Sequence, residues 1–198
     1  MLNFKDMAFT ATGSYIMLGD LIPKNKVTLL HGKSGAGKTL SIIKYFENLE
    51  IEPVLIDFDD NISYSTRKII HLDGYKFLDY YLSDKTQEEV LDLLKGKVVI
   101  IDTYAKCNLA LEEREVKLKT QDVATKLSDY GITVVVIAHS NIFAGKAPEP
   151  DTDIVFANHV ACRLFLNFKI VKKKPEIQLI IEKLRNKPTD IIENWMRD

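Results

Sequence analysis

Two cysteines in 198 residues, Cys107 and Cys162, are too few for a disulfide framework and too few for a cysteine-rich zinc module. An excess of charge of one sign is missing as well. The 27 basic and 28 acidic side chains give a formal net charge of −1, so a uniformly basic coat is excluded and any nucleic-acid surface must be a local patch. No apolar run approaches the roughly 20 residues that a membrane-spanning helix requires. The opening residues, MLNFKDMAFTATGSYIML, place Asp6 inside their apolar stretch and lack a basic region ahead of a clean apolar core, so no secretory leader is expected. There is no internal repeat, low-complexity tract or linker. What is present is an ordinary globular composition, 46% hydrophobic and 28% charged. At this length folding buries roughly 70% of the chain's surface, so no metal or disulfide staple is needed. A soluble, cytoplasmic, single-domain protein is the expectation.

The strongest local pattern lies in the first third. Residues 26–30 (KVTLL) read as a buried strand, HGKSGAGKT follows at once, and Ile42, Ile43, Phe46 and Leu49 then recur at helical spacing. Residues 52–58 (EPVLIDF) predict a second strand, ending at Asp57, Asp59 and Asp60, and residues 76–82 (KFLDYYL) a third. Thr86 and Glu89 have capping-box spacing before a helix through Val90, Leu91 and Leu94, which Gly96 ends. Residues 97–102 (KVVIID) form a strand with a carboxylate at its C-terminal edge. The stripe Val116, Thr120, Val123, Leu127 and Tyr130 predicts one charged helix over 112–130, stopped by Gly131. Residues 132–138 (ITVVVIA) are a further apolar strand ending at His139, and 140–153 read as a loop with Gly145, Pro148 and Pro150. Residues 160–171 and 177–184, joined by KKKPE, read as an antiparallel pair. Strands that alternate with helices and are apolar throughout predict an α/β fold: a mainly parallel sheet with helices on both faces and a C-terminal antiparallel hairpin.

Gly32-Lys33-Ser34-Gly35-Ala36-Gly37-Lys38-Thr39 matches the phosphate-binding pattern G-x-x-x-x-G-K-[ST] in full. Its glycines let the backbone curl so that N–H groups face phosphate oxygens, and the helix that follows adds its positive end. Lys38 is placed to reach the β- and γ-phosphates and the Thr39 hydroxyl to bind Mg²⁺. Asp102, at the tip of a buried strand, is the candidate second metal-binding residue, acting through the water shell of the Mg²⁺.

With these elements in this order the chain resembles the RecA-superfamily P-loop ATPase core, and within it the hexameric DNA helicases of DnaB and plasmid RepA type. The resemblance spans roughly residues 20–188. It implies ATP and Mg²⁺ as cofactors and a strand between the P-loop and Walker B strands whose terminal polar residue, here His139, senses the γ-phosphate. It also implies an acidic residue after the second strand that polarises the attacking water. Asp59 stands there, where the family has the longer glutamate. EKLRNKP resembles the K-x-R-N element, so the resemblance implies that Lys183 and Arg185 reach a neighbouring subunit's nucleotide in trans, which requires a ring or filament. Residues 1–19 would then be an arm able to dock on a neighbour through Phe4, Met7 and Phe9, and 189–198 a tail.

From His139 to Pro188 there are nine Lys/Arg and five Asp/Glu, which makes Lys146, Lys172, Lys173 and Lys174 candidates for phosphate contacts to single-stranded DNA. The alternative is that these lysines are solvated and blunt an edge strand. The expectation is therefore an ATP-hydrolysing motor on single-stranded DNA, a helicase or translocase in replication. A recombinase or annealing protein, and a nucleotide-loaded assembly module with weak hydrolysis, are the alternatives. A small-molecule kinase ranks last, because no arginine-rich lid is visible. No guanine-specific N-K-x-D motif appears, which favours ATP over GTP.

Overall fold

A computed structural model of the chain describes residues 16–59, 68–141, 148–171, 174–184 and 190–193. In chain order the elements are β1 (Met17–Leu18), β2 (Ile22–Pro23), β3 (Val27–Gly32), α1 (Lys38–Asn48), β4 (Val54–Asp57), β5 (Ile70–Asp73), α2 (Gly74–Tyr81) and α3 (Gln87–Leu94). There follow β6 (Val98–Asp102), α4 (Tyr104–Glu112), α5 (Thr120–Asp129), β7 (Thr133–Asn141), β8 (Glu149–Pro150), α6 (Ile154–His159), β9 (Cys162–Val171), β10 (Lys174–Leu184) and β11 (Asp190–Glu193).

The main sheet has nine strands among the described residues, in the order β11-β10-β9-β3-β7-β6-β4-β5, with β8 added to β7. From β9 to β5 every neighbouring pair is parallel. β10 pairs antiparallel with β9 and with β11. The expected architecture is therefore the one observed. Its central strands are buried on both faces, which is why they read as unbroken apolar runs.

The two faces have separate cores. Leu30, Leu55, Ile100, Val135 and Ile137 pack against α1 through Ile42, Ile43 and Phe46. Leu29, Val54, Val99, Val134 and Val136 pack against α2 to α6. Each large side chain fully withdrawn from water here contributes roughly 1.5–3 kcal/mol, so α1 is fixed firmly on its face of the sheet.

Four local expectations are corrected. Residues 76–82 are not a strand. Asp73 caps α2 by accepting from the backbone N–H of Lys76 at 3.0 Å, and Phe77, Leu78 and Tyr81 fall on one buried face. The strand at that edge is the shorter β5. Residues 112–130 are not one helix. The backbone at Glu115 is left-handed (φ 55°), and Asn108 Oδ1 accepts from both the N–H and the hydroxyl of Thr120, at 2.8 and 2.7 Å, so α5 starts only there. Thr86 makes no capping bond; its hydroxyl donates to the Tyr80 carbonyl at 2.7 Å. Finally, 140–153 is not wholly loop, because β7 continues to Asn141 and pairs with β8.

Candidate active site

The parallel strands bring their C-terminal ends to one edge, where open α/β sheets place their ligand crevices. Strand register decides which residues meet there. Asp57 of β4 is opposite Asp102 of β6, and Gly32 of β3 is opposite His139 of β7. A cleft of about 350 Å³ at this edge is lined by Ser34, Gly35, Gly37, Lys38, Thr39, Asp57, Asp59, Asp102, Thr103 and His139, with Leu40 at its rim. Asp57, Asp59, Asp102, Thr103 and His139, far apart in sequence, thus converge on the P-loop. Gly32, Lys33 and Ala36 lie in the same turn, with Ala36 buried beneath it.

The loop's shape depends on two glycines for different reasons. Gly37 sits just before α1 with φ 79°, in the left-handed region that other residues avoid. Gly32 has ordinary backbone but no room: a Cβ there would lie 2.5 Å from the carbonyl oxygen of Leu166 on β9. No side chain caps the first turn of α1, so its N–H groups are left to face an anion.

Lys38 folds back over its own loop. Its Nζ donates to the carbonyls of Gly32 at 3.1 Å and Lys33 at 2.9 Å. Burial lowers its pKa from the usual lysine value, while Asp102 and Asp59 pull the other way. The Thr39 hydroxyl donates to Asp102 Oδ2 at 2.5 Å. Burial pushes the Asp102 carboxyl up to about 6; Asp57 and Asp59 add to the rise, and Thr39 and Lys38 oppose it.

Asp57 is anchored. Its Oδ1 accepts from the Asp59 N–H at 2.9 Å and its Oδ2 lies 3.1 Å from His71 Nε2. The Asp59 carboxylate has no hydrogen-bond partner among the described residues. At the opposite wall, His139 Nδ1 is buried without a hydrogen-bond partner among the described residues. Burial lowers the His139 pKa and Lys38 lowers it further, against Asp59 and Asp151, so the neutral ring is favoured.

These observations fit a phosphate ligand carrying Mg²⁺. The uncapped helix start and Lys38 suit phosphate, the Thr39 and Asp102 oxygens suit a hard cation, and His139, on the cleft wall, has a ring nitrogen without a hydrogen-bond partner among the described residues. The sequence reading missed His71 and Thr103. Nothing local marks His71, whose tie to Asp57 comes from the pairing of β4 with β5.

Other candidates lie elsewhere. Lys183, on β10, donates from Nζ to the Asn158 carbonyl of its own chain. Lys174 opens β10. Arg185, Lys146, Lys172 and Lys173 lie outside the described residues, as do Asp60 and the arm residues Phe4, Met7 and Phe9. No helix among the described residues is long and apolar enough to cross a membrane.

No protein-family model matches the chain, and no curated protein matches it in sequence. Among solved structures it is similar to a KaiC-like protein of the hyperthermophilic archaeon Pyrococcus horikoshii OT3. The TM-score is 0.58 at 18% identity, over 87% of this chain and 85% of that one. That likeness is one of fold: a mainly parallel sheet with helices on both faces and a C-terminal antiparallel hairpin.

Proposed function

We propose that this chain binds ATP with Mg²⁺ and hydrolyses it, and that single-stranded DNA stimulates the turnover, as in a helicase or translocase of replication. The observation that carries the reading is the convergence of Lys38, Thr39, Asp102, Asp59 and His139 on one cleft beside an uncapped helix start. In this reading the bound Mg²⁺ neutralises charge on the phosphates. Lys38 leaves the Gly32 and Lys33 carbonyls for the β- and γ-phosphates. Thr39 would hold the cation directly and Asp102 through its water shell, and the Asp59 carboxylate, without a hydrogen-bond partner among the described residues, orients a water and accepts its proton. His139 fills its free nitrogen against the γ-phosphate. Arg185, with Lys183, completes a neighbouring subunit's site in a ring or filament, and Lys146, Lys172, Lys173 and Lys174 meet DNA phosphates.

One observation favours a second reading, a nucleotide-loaded assembly module with weak hydrolysis. Glu149 and Asp151 stand exposed next to the sensor strand, with the Asp151 N–H donating to the His139 carbonyl at 2.8 Å, and such charges oppose DNA phosphates. The ATPase rate with and without single-stranded DNA separates the two, with Lys38→Ala as the blank. Stimulation that is lost in the variant and weakened by salt supports the motor. Binding with negligible turnover, unchanged by DNA, leaves the module.

A further inference from the structure

Behind the P-loop, on the face of the sheet opposite the cleft, lies a polar cluster in an otherwise apolar layer. His31, the last residue before Gly32, is fully buried. Both its ring nitrogens are engaged: Nδ1 lies 2.9 Å from Ser140 Oγ on β7 and Nε2 lies 2.8 Å from Glu182 Oε2 on β10. Arg163 Nε of β9 is 2.8 Å from the same Glu182 oxygen, an ion pair without hydrogen-bond alignment. Phe165 closes one side, its ring centroid 5.2 Å from that of His31.

The chemistry gives this cluster a direction. An ionised Glu182 only accepts, so Nε2 carries the hydrogen, and in the neutral ring Nδ1 accepts from the Ser140 hydroxyl. Ser140 follows His139, and successive strand residues point to opposite faces. His139 therefore lines the nucleotide cleft while its neighbour holds His31 on the other side. Glu182 in turn is followed by Lys183.

We infer that His31 is a positioning residue that carries the state of the nucleotide cleft through the sheet, from the end of β7 to the end of β10. The inference rests on the nucleotide reading above. When His139 shifts toward a γ-phosphate, Ser140 moves with it. Nδ1 of a fully buried ring cannot be left unmatched cheaply, so the ring and Glu182 must follow. The end of β10 is thereby set by what occupies the cleft, through bonds that run from Ser140 to His31 to Glu182.

The test is backbone hydrogen exchange across residues 179–184, with and without Mg²⁺ and the slowly hydrolysed analogue ATPγS, alongside a direct titration of ATPγS binding. In the wild-type chain the analogue is expected to change exchange at this strand end by about threefold or more. His31→Leu is expected to bind the analogue within about threefold of wild type and to lose the exchange response. His31→Gln, with one donor and one acceptor, should restore part of it. Should His31→Leu fail to fold, Ser140→Ala cuts only the arm from the sensor and should also lose the response. The inference is overturned if the response survives in the variants, or if wild type binds the analogue without any response at β10. If wild type binds no nucleotide at all, the nucleotide reading falls and the relay falls with it.

Discussion

Replacing Asp102 by asparagine should stabilise the protein in the absence of added nucleotide and Mg²⁺ while removing its response to Mg²⁺. Asp102 is 6% exposed, and burial raises its pKa from 3.8 to about 6. Because the folded value exceeds the unfolded one, the folded chain holds the proton more tightly and pays for losing it. The cost is absent below the unfolded pKa of 3.8, grows between 3.8 and about 6, and is complete above that. A shift of this size corresponds to about 3 kcal/mol at pH 8 and roughly half as much at pH 5. The asparagine carbonyl still accepts from Thr39, so that bond is kept. For a chain of this length, 1 kcal/mol moves Tm by roughly 2–4 °C, so Asp102→Asn should melt about 6–12 °C higher at pH 8. The gain should shrink on moving to pH 5. Thermal unfolding followed by circular dichroism at both pH values measures this, and Mg²⁺ with ATP should raise Tm for wild type but not for the variant. A variant that melts lower than wild type, or whose gain is equal at pH 8 and pH 5, would refute the reasoning.

Substitutions at two further positions probe other parts of the cleft. Asp59→Asn should lower kcat by about 100-fold or more with ATP affinity little changed, whereas Asp59→Glu, which supplies one more methylene of reach, should raise turnover; single-turnover kinetics distinguishes these from binding effects. An unchanged kcat in Asp59→Asn would take that carboxylate out of the chemistry. Gly32→Ala drives a Cβ to 2.5 Å from the Leu166 carbonyl, a backbone atom that cannot swing away. It should cost about 1–3 kcal/mol in urea unfolding by forcing β3 and β9 apart, and a neutral result would mean the pair has slack.

The sequence carried the sheet's centre well and its edge poorly. β3, β6 and β7 are buried on both faces, so their apolar runs are long and unbroken. β5 is an edge strand of four residues that alternates between half-buried and exposed, too short and too polar to stand out. The neighbouring KFLDYYL was misleading because its aromatics suit either element; the cap at Asp73, three residues before Lys76, was the usable signal. The same split holds for the cleft. Lys38 and Thr39 belong to a contiguous motif, and Asp102 and His139 to strand ends, all visible as local patterns. The partners of His31 are 109 and 151 residues away, and no local pattern reports pairings that the strand order creates. What was visible there was only a histidine between an apolar strand and a glycine-rich turn.

Burial acts on three cleft groups in one sense. It raises Asp102 and lowers Lys38 and His139, each toward its neutral form. A polyanion alone would favour the charged lysine but oppose Asp57, Asp59 and Asp102. A cation alone would favour those carboxylates but oppose Lys38, whose ammonium is held against two carbonyls of its own loop. Only a ligand that brings phosphate to the lysine and a metal to Asp102 together reverses both shifts. On the proposed reading, the desolvation that weakens the fold at Asp102 is the same feature that would favour a metal–polyphosphate pair over either component, with Thr39, bonded to Asp102 at 2.5 Å, among the residues that would hold it.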